Sequence, residues 1–577
     1  MQIILTDEFK KAGLARAVPG AYFRKPHWLV DDPDPRTASI ILRLFPSLAQ
    51  TYPDLLPLQT DRAEAVRPYD AAAEYNVRIS APRVEQVLKA EGHKLYNFQA
   101  VDLGYVAARL QEHGGAYIGW DRGLGKTLAT ATLIDALEAT AVLVISPNSA
   151  KETVWLAELT RFLPWMKIIV LRNSARKRSY DLEYVEECKR KKIPFVLIVH
   201  YEALALIAGR AKTKTGKITI ADGWQRYGEW DLVAADEAHR LKNTKTKQAK
   251  AAKKIPAKAR IALSGSIVEN HAEELFSQLQ FILPKTYSSK WRDWNSKYLD
   301  YFEGPYGRIC LGIKDARANE MRTELGTVMV YRRKEDALDL PDKTEQTHLL
   351  ELSLEQRKVY DQLCTELLAS LPDGQRIKAD EGLSLLTKLR QIATGLNLDG
   401  EISDSTKLDY ATDLIVGDED SVFVVFSWYK APCYALARRL ESSGIQSFVV
   451  TGDVPSAERS DYIDAFQAPA NLRHKHPERA TRAESALRKY GNRRVFIGTI
   501  STLGESVNLF RANNAVFLDR AWNPALNAQA EDRLHRHGQK NAVTITHLVA
   551  KDTVDQLRVM PVLETKAALR SMILGAK

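Results

Sequence analysis

The chain has little cysteine and no long apolar segment. Its 577 residues include four cysteines, Cys188, Cys310, Cys364 and Cys433, which are far apart and form no Cys-x-x-Cys pair. This spacing argues against structural zinc and predicts reduced thiols in an intracellular protein, in the cytoplasm and nucleoid or in a nucleus. Apolar runs such as residues 141–145 are far too short to cross a bilayer, so we expect no membrane partner.

Acidic residues are fewer than basic residues. The chain has 82 Lys+Arg against 72 Asp+Glu, a net charge of +10, and its pI is about 9.1. Such an excess favours an anionic partner, of which nucleic acid is the commonest. A basic protein without such a partner has the same composition, so charge alone leaves both alternatives open. The length allows about three or four domain-sized units.

A glycine-containing loop at residues 121–127 (Asp-Arg-Gly-Leu-Gly-Lys-Thr) is the first candidate site. It follows a short apolar run and precedes a segment with helical periodicity. A strand, a glycine loop and a helix in this order can hold a nucleoside triphosphate, because loop N–H groups and the helix N-terminus face the phosphates. The pattern G-x-x-x-x-G-K-[ST] has glycine where this chain has Trp120, so the loop alone leaves an ordinary turn as an alternative.

Five of the seven residues of this loop have a predicted role in nucleotide binding. Lys126 would reach the β and γ phosphates of ATP, and the Thr127 hydroxyl would bind Mg²⁺. The residues predicted to bind the nucleotide here are Gly123, Leu124, Gly125, Lys126 and Thr127.

Short apolar runs alternate with helical segments between about residues 89 and 285. This alternation is typical of an α/β fold with a parallel sheet covered on both faces. The predicted strands are residues 116–118, 141–145, 195–199, 232–235 and 260–264. Each strand is followed by polar residues, and ligands of such sheets bind at the carboxyl ends of the strands. We therefore expect one shared site at that edge.

The fourth of these strands ends in Asp236-Glu237-Ala238-His239. Asp236 is suited to hold Mg²⁺, and Glu237 could accept a proton from the water that attacks the γ-phosphate. A solvated acidic turn is the alternative interpretation. The position directly behind an apolar strand favours the catalytic one.

A second α/β alternation occupies about residues 346–560, and it predicts a second lobe and a cleft between the two. We divide the chain into a small mixed accessory domain (1–88), an ATP-binding lobe (89–285), a helical protrusion and linker (286–345) and a second lobe (346–577). In the second lobe a stretch predicted as helical, residues 529–539, carries Arg533 and Arg536 on one face. Such guanidinium groups can stabilise charge on a transferring phosphoryl group; an exposed basic helix is the alternative.

Several motifs together resemble one family, the Swi/Snf group of superfamily-two helicase-like ATPases, which are double-stranded DNA translocases. Residues 236–243 (Asp-Glu-Ala-His-Arg-Leu-Lys-Asn) are similar to the family's second motif, and residues 263–266 (Leu-Ser-Gly-Ser) to its third. Residues 332–334, 340–343, 389–391, 522–524 and 529–539 resemble further motifs of the family. The resemblance covers about residues 90–560 and implies two tandem RecA-like lobes that hydrolyse ATP between them.

The resemblance also implies roles for single residues. Gln99, in Leu-Tyr-Asn-Phe-Gln (95–99), would recognise adenine, and Arg533 and Arg536 would complete the catalytic site with Asp236 and Glu237. The residues expected to couple hydrolysis to movement are His239, Ser264, Ser266 and Gln529.

Within the family, residues 529–536 and 547–555 are most similar to the annealing-helicase branch, which rewinds DNA and remodels forks. Residues 1–88 would then be a reduced HARP accessory domain. Three departures stand out: Trp120-Asp121-Arg122 before the glycines, serines for threonines at 264 and 266, and residues 503–509 in place of a glycine-rich fifth motif. None removes a group needed for hydrolysis.

Duplex or forked DNA is the expected partner, bound through its phosphates with little sequence specificity. The candidate contacts are polar or basic runs at residues 146–149, 210–217, 242–247 and 473–494, although each could be a solvated loop. We expect a monomeric, DNA-dependent ATPase that translocates on double-stranded DNA and remodels or reanneals it. The alternatives are a strand-separating helicase and a nucleotide-gated DNA clamp with little turnover, the latter if Trp120 or Glu505 has spoiled the site.

Overall fold

The structure is a computed structural model with two compact units, which meet in the sequence between Leu338 and Asp339. The parts of the chain that it describes are residues 2–6, 22–24, 27–31, 75, 77–212, 218–268, 272–287, 291–304, 307–369, 379–395, 405–467, 494–503, 509–536 and 538–563. Each unit is built on its own parallel sheet.

The first unit contains fourteen of the described strands. They are β1 (Gln2–Thr6), β2 (Tyr22–Arg24), β3 (His27–Asp31), β4 (Gly115–Trp120), β5 (Ala141–Ser146), β6 (Lys167–Val170), β7 (Phe195–His200), β8 (Arg210–Lys212), β9 (Ile218–Ile220), β10 (Trp230–Asp236), β11 (Ala257–Leu263), β12 (Leu299–Gly304), β13 (Gly307–Ile313) and β14 (Met329–Arg332). Seven of them form the main sheet, in the order β14-β4-β11-β10-β5-β7-β6. All neighbouring pairs in this sheet are parallel, as the sequence predicts.

The central strands of this sheet are apolar along their whole length because both faces are covered. Successive residues of a strand point to opposite faces. Accordingly Leu143 and Ile145 of β5 belong to one buried cluster, and Val142 and Val144 belong to another on the other face. This double burial explains the continuous apolar runs in the sequence.

Helices of the first unit pack on these two faces or follow the sheet. They are α1 (Pro82–Ala90), α2 (Asn97–His113), α3 (Lys126–Ala136), α4 (Ala157–Phe162), α5 (Ala175–Lys191), α6 (Tyr201–Ala208), α7 (Lys247–Lys253), α8 (Glu273–Ile282), α9 (Pro284–Tyr287), α10 (Trp291–Tyr298), α11 (Ala318–Gly326) and α12 (Lys334–Ala337). A π-helix at Lys151–Leu156 runs directly into α4. No helix among the described residues is long and apolar enough to span a membrane.

The segment expected to be a helical protrusion and linker, residues 286–345, also contains strands. Its described residues include an antiparallel hairpin of β12 and β13, and β14, which pairs with β4 at the edge of the main sheet. Residues 77–80, at the boundary of the accessory domain, form no strand. Instead the Ile79 N–H donates to the Ala100 carbonyl of α2 at 2.9 Å.

The second unit has a six-stranded parallel sheet in the order β15-β20-β19-β16-β18-β17. Its strands are β15 (Lys343–Leu350), β16 (Phe423–Ser427), β17 (Gln446–Val450), β18 (Arg494–Thr499), β19 (Asn514–Phe517) and β20 (Val543–Ala550). Its helices are α13 (Leu354–Ala369), α14 (Ala379–Ala393), α15 (Thr406–Gly417), α16 (Lys430–Ser442), α17 (Ser456–Gln467), α18 (Ile500–Leu503) and α19 (Pro524–Glu531), with a π-helix at Asp555–Val559. Buried clusters again lie on both faces. The predicted α/β class with two parallel-sheet lobes is confirmed.

Candidate functional site

The loop between β4 and α3 has a backbone that requires glycine. Gly123 and Gly125 have φ angles of 84° and 85°, in the left-handed region that favours glycine. A Cβ added at Gly125 would lie 2.8 Å from the Gln99 amide nitrogen. Helix α3 begins at Lys126 with no side-chain cap, so its first N–H groups are left for another acceptor. A phosphate group is a suitable acceptor at such a helix start.

Lys126 is held beside the loop and beside two carboxylates. Its ammonium donates to the carbonyl oxygens of Trp120 at 3.0 Å and Asp121 at 3.2 Å. Burial lowers the pKa of Lys126, while the charges of Glu237 and Asp236 oppose that effect. The ammonium therefore sits where the predicted triphosphate needs a cation, and phosphate oxygens could take the place of the two carbonyls.

Gln99 connects the start of α2 to the same loop. Its side-chain nitrogen donates to the Leu124 carbonyl at 2.9 Å, and its side-chain oxygen accepts the Tyr96 N–H at 2.9 Å. The side chain is 3% exposed. Gln99 thus supports the glycine loop directly, a contact that the sequence did not predict. Its role in adenine recognition stays a prediction.

Trp120 departs from the glycine pattern without entering the loop. The indole is fully buried, donates from Nε1 to Asp102 at 2.8 Å and packs edge-on against Phe98, with ring centroids 5.3 Å apart. Asp102 also accepts from the Arg332 guanidinium of β14 at 2.7 Å. Residue 120 is therefore a structural residue beneath the site. Glu505, the other residue suspected of spoiling the site, lies outside the described residues.

Asp236 ends β10 and is held by three donors. Trp155 Nε1 donates to its Oδ2 at 2.9 Å, and the Glu237 N–H donates to its Oδ1 at 3.0 Å. The Tyr201 hydroxyl donates to its backbone carbonyl. Burial, followed by the charge of Glu237, raises the pKa of Asp236. The sequence analysis assigned no role to Trp155 or Tyr201; the one signal was that both follow strands that end at the same edge as β10.

Glu237 has an unusual backbone and two cationic or polar neighbours. Its φ of 49° lies in the left-handed region, which is uncommon outside glycine and recurs at functional sites. Arg122 Nε lies 3.7 Å from Oε1, and His239 Nδ1 lies 3.3 Å from Oε2. Burial raises the pKa of Glu237, but Arg122, His239 and Lys126 outweigh burial and hold it well below its ordinary value. The carboxylate is therefore ionised.

His239 joins this strand end to the next. Its Nδ1 lies 3.0 Å from the Ser264 hydroxyl, and Ser264 in turn donates to the Ser266 carbonyl at 3.1 Å and accepts the Ser266 N–H at 3.1 Å. Ser264 is fully buried and Ser266 nearly so. Three of the four residues expected to couple hydrolysis to movement are thus connected in the first unit.

The remaining predicted residues belong to the second unit. Gln529 lies in α19, but the helix ends at Glu531. Arg533 and Arg536 are therefore in turns beyond the helix, and their prediction as neighbours on one helical face was wrong. The backbone holds this segment, since the Leu509 N–H donates to the Arg533 carbonyl at 2.9 Å. Burial lowers the pKa of Arg536.

Two contacts within the second unit tie this segment to the predicted linker motif at residues 340–343. Lys343 Nζ lies 2.6 Å from the Glu531 carboxylate. The His535 ring nitrogen Nε2 lies 2.8 Å from the Pro341 carbonyl. Burial lowers the pKa of Lys343, but the charges of Glu531 and Glu345 outweigh it and raise the pKa overall. The two motifs, about 190 residues apart in the sequence, therefore form one local structure.

The oxygen donors of the first unit fit Mg²⁺. Asp236 and Thr127 offer hard oxygen ligands, and Asp236 has one N–H donor on each carboxylate oxygen. Among the described residues no group of three or more His, Cys, Asp and Glu side chains could hold a metal ion. Mg²⁺ is commonly bound by one or two carboxylates together with substrate phosphates, so this donor set suits a metal that arrives with a nucleotide.

The predicted DNA contacts are only partly described. Asn148 and Ser149 are exposed after β5, Lys245 is exposed before α7, and Lys247 is exposed as the first residue of α7. Residues 213–217 and 473–493 of the two other runs lie outside the described residues, as do 504–508 of the fifth motif. These contacts stay predictions.

Comparison with protein families identifies both units. A family model described as SNF2-related domain matches residues 88–398, which is more than half of the chain. A second model, described as helicase conserved C-terminal domain, matches residues 406–538. No family match confirms a HARP domain or an annealing branch.

The chain is similar in sequence to proteins from bacteria and animals. An uncharacterized ATP-dependent helicase of Mycoplasma genitalium, MG018, is 25% identical over 488 residues, which cover 83% of this chain and 42% of that protein. The human SWI/SNF-related matrix-associated actin-dependent regulator of chromatin subfamily A member 1 is 25% identical over 508 residues, covering 84% of this chain and 44% of that protein. The chain thus spans less than half the length of these two relatives.

A solved structure is also similar. It is titled Sulfolobus solfataricus SWI2/SNF2 ATPase core in complex with dsDNA, and it is 23% identical to this chain with a TM-score of 0.36. The match covers 83% of this chain and 90% of that one. At that TM-score the likeness tells nothing about DNA binding by this chain.

Proposed function

The chain belongs to the SNF2-related family. We propose that it is an ATP-dependent double-stranded DNA translocase that remodels or reanneals DNA. The observation that carries the proposal is the meeting of a glycine loop, the Lys126 ammonium and the Asp236 and Glu237 carboxylates at one edge of the first sheet. Hydrolysis of a triphosphate needs a cation that contacts the phosphates, a ligand that holds Mg²⁺ and a carboxylate that positions the attacking water.

The residues of the loop bind the triphosphate. The N–H groups at the start of α3 face the phosphates, and Lys126 moves from the Trp120 and Asp121 carbonyls to phosphate oxygens. Thr127 and Asp236 would hold Mg²⁺, which would neutralise charge on the phosphates. Gln99 contacts adenine and also donates a hydrogen bond to the Leu124 carbonyl.

Glu237 positions the attacking water. Its ionised carboxylate can accept a hydrogen bond from water, but a pKa held so low makes it a weak base while Arg122 and His239 stay close. Arg533 and Arg536 of the second unit stabilise the charge that develops on the γ-phosphate. Guanidinium groups in that role are worth about 10³ to 10⁵ in rate.

Coupling to movement runs through the side chains that follow the strand ends. His239, Ser264 and Ser266 already connect two strand ends of the first unit, so a change at Glu237 reaches the loop after β11. Gln529 takes the corresponding role in the second unit.

DNA is the proposed partner, in duplex or forked form, bound by a monomer inside the cell. The net charge of +10 supports an anionic partner, and the exposed Lys245 and Lys247 are suitable phosphate contacts. The amino-acid sequence at residues 529–536 and 547–555 supports membership of the annealing-helicase branch. On this proposal the protein remodels replication forks. Residues 1–88 would then be a reduced HARP domain.

Three assays on the full chain separate translocation from its alternatives. A translocase displaces a third strand from a DNA triplex when ATP is present, and an annealing enzyme rewinds a bubble held open by a single-strand-binding protein. Release of a strand from a forked duplex would instead identify a strand-separating helicase. Binding of DNA that depends on ATP, with no displacement in any assay, would identify the clamp and contradict the proposal. Glu237→Gln is the control for hydrolysis in each assay.

A further inference from the structure

We propose that Trp155 is a positioning residue for the Mg²⁺ that accompanies the nucleotide, with Tyr201 as its backbone counterpart. The inference rests on the proposed function, because it concerns the metal ligand Asp236. It assigns a binding role to two aromatic side chains that the motifs of the sequence did not single out.

The hydrogen bond from Trp155 fixes the Asp236 carboxylate and still leaves lone pairs on its oxygens for a metal. Trp155 is 1% exposed, and its Nε1 lies 2.9 Å from Oδ2. The Glu237 N–H takes the other oxygen, Oδ1, at 3.0 Å. A carboxylate oxygen has two lone pairs, so each oxygen keeps one for a metal. The plane of the carboxylate is thus set before a metal binds.

Tyr201 fixes the same residue through its backbone. Its side chain is fully buried, and its hydroxyl donates to the Asp236 carbonyl. The Arg240 guanidinium lies over the Tyr201 ring, 5.0 Å from its centroid. Side chain and main chain of Asp236 are therefore held from two different elements, the π-helix and α6.

The local fold explains how Trp155 reaches the carboxylate. Strand β5 is the neighbour of β10 in the sheet, and the π-helix Lys151–Leu156 follows it after a short turn. Lys151, at the first turn, donates to the Asn173 side chain at 3.1 Å, which anchors the start of this helix. A π-helical turn is rare and is frequent at functional sites. The wide turn places the indole N–H at the end of β10.

Ligand orientation of this kind has a measurable effect on metal affinity. Removing a group that is hydrogen-bonded to a metal ligand typically lowers metal affinity by about 10- to 100-fold. We expect Trp155→Phe, which keeps an aromatic side chain and removes the N–H, to fall in that range. Tyr201→Phe should shift the affinity in the same direction by less, since the hydroxyl contacts the main chain.

The test measures nucleotide binding instead of turnover. Anisotropy of fluorescently labelled ADP is followed with the full chain, first in EDTA and then at rising Mg²⁺ concentration. Trp155→Phe should bind labelled ADP normally in EDTA but need about 10-fold or more Mg²⁺ to reach half of the metal-dependent gain. Calorimetric titration with Mn²⁺ in the presence of ADP should show the same loss.

Trp224→Phe is the matched control. Trp224 is also fully buried, and its Nε1 donates to the Leu204 carbonyl at 3.2 Å, so this variant loses an indole hydrogen bond away from Asp236. A Mg²⁺ midpoint for Trp155→Phe equal to that of Trp224→Phe would overturn the inference. If Trp155→Phe does not fold, an unshifted midpoint in Tyr201→Phe overturns it. Absence of Mg²⁺-dependent nucleotide binding by the unmodified chain would contradict the proposed function itself.

Discussion

The Lys126, Asp236 and Glu237 side chains of the first unit are fixed by contacts within that unit, whereas the predicted arginines of the second unit lie in turns beyond the end of α19. In the first unit main-chain carbonyls hold Lys126, and neighbouring side chains contact Asp236 and Glu237. In the second, backbone bonds and the pair of Lys343 and Glu531 hold the segment that carries Arg533 and Arg536. On the proposed function, the nucleotide site of the first unit is preorganised, and the second unit positions its arginines by other contacts.

The largest expected effect tests whether the first unit binds the nucleotide and the second unit supplies the catalytic arginines. Arg536→Ala should reduce ATP hydrolysis by about 10³-fold or more, because the developing phosphoryl charge loses a guanidinium. Binding of labelled ADP should be unchanged, since the proposed binding residues belong to the first unit. Single-turnover hydrolysis and anisotropy measure the two effects separately. Loss of nucleotide affinity in this variant, with hydrolysis at saturation intact, would show that the division is wrong.

Buried ion pairs give a second comparison between the units. In the second unit Asp555 is paired with Lys407, whose side chain is 1% exposed, and in the first Asp102 is paired with Arg332, whose side chain is 22% exposed. Removing one partner of a buried pair costs about 3 to 5 kcal/mol. Asp555→Ala should approach the upper value because Lys407 has no access to water, and Asp102→Ala should stay near the lower one.

Hydrogen exchange followed by mass spectrometry can localise these losses. Asp102→Ala should increase exchange in peptides of the first unit, and Asp555→Ala in peptides of the second. Equal destabilisation by the two substitutions would mean that exposure of the partner does not decide the cost.

The glycine loop at residues 121–127 should respond to one added methyl group. Gly125→Ala forces a left-handed alanine and brings Cβ to 2.8 Å from the Gln99 amide nitrogen. A left-handed residue other than glycine costs about 1 to 2 kcal/mol, so nucleotide affinity should fall by about 10-fold or more. Gly92→Ala is the control, since Gly92 has a φ of 76° with nothing within 4 Å of the added Cβ. Equal affinities in the two variants would show that the loop tolerates strain.

The last expected effect concerns pH and the first unit alone. Burial lowers the pKa of Lys253 from 10.5 to about 8, and its ammonium donates to Ser277 and Gln280. Between pH 8 and 10.5 the unfolded chain binds this proton and the folded chain does not, so stability should rise with pH in that window. Lys253→Met should remove this rise, as measured by urea unfolding at several pH values. An unchanged pH profile would assign the rise to other groups.

In the two parallel sheets the sequence predicted the central strands and missed three strands at the edges. Strands β5, β7 and β10 are buried on both faces and appear as continuous apolar runs. The missed strands β6, β14 and β15 lie at the ends of their sheets. In β15 (Lys-Thr-Glu-Gln-Thr-His-Leu-Leu) most side chains are exposed, so the hydrophobic pattern that marks a strand is absent.

The residues of the candidate site that lie in short sequence motifs were predictable. Lys126, Asp236 and Glu237 follow motifs, whereas Trp155, Tyr201 and Asp102 act through contacts made by residues 18 to 81 positions apart. The end of α19 at Glu531 was missed because Asp532 and Arg533 are compatible with a helix, and tertiary contacts at Lys343 and Pro341 decide otherwise. Helical periodicity does not report such contacts.

Hydrolysis of ATP by the full chain in Mg²⁺, with and without duplex DNA, tests the central claim most directly. The proposed translocase should turn over slowly alone and faster with duplex DNA, and Lys126→Ala should abolish both rates. Turnover that ignores DNA, or no turnover in its presence, would contradict the account.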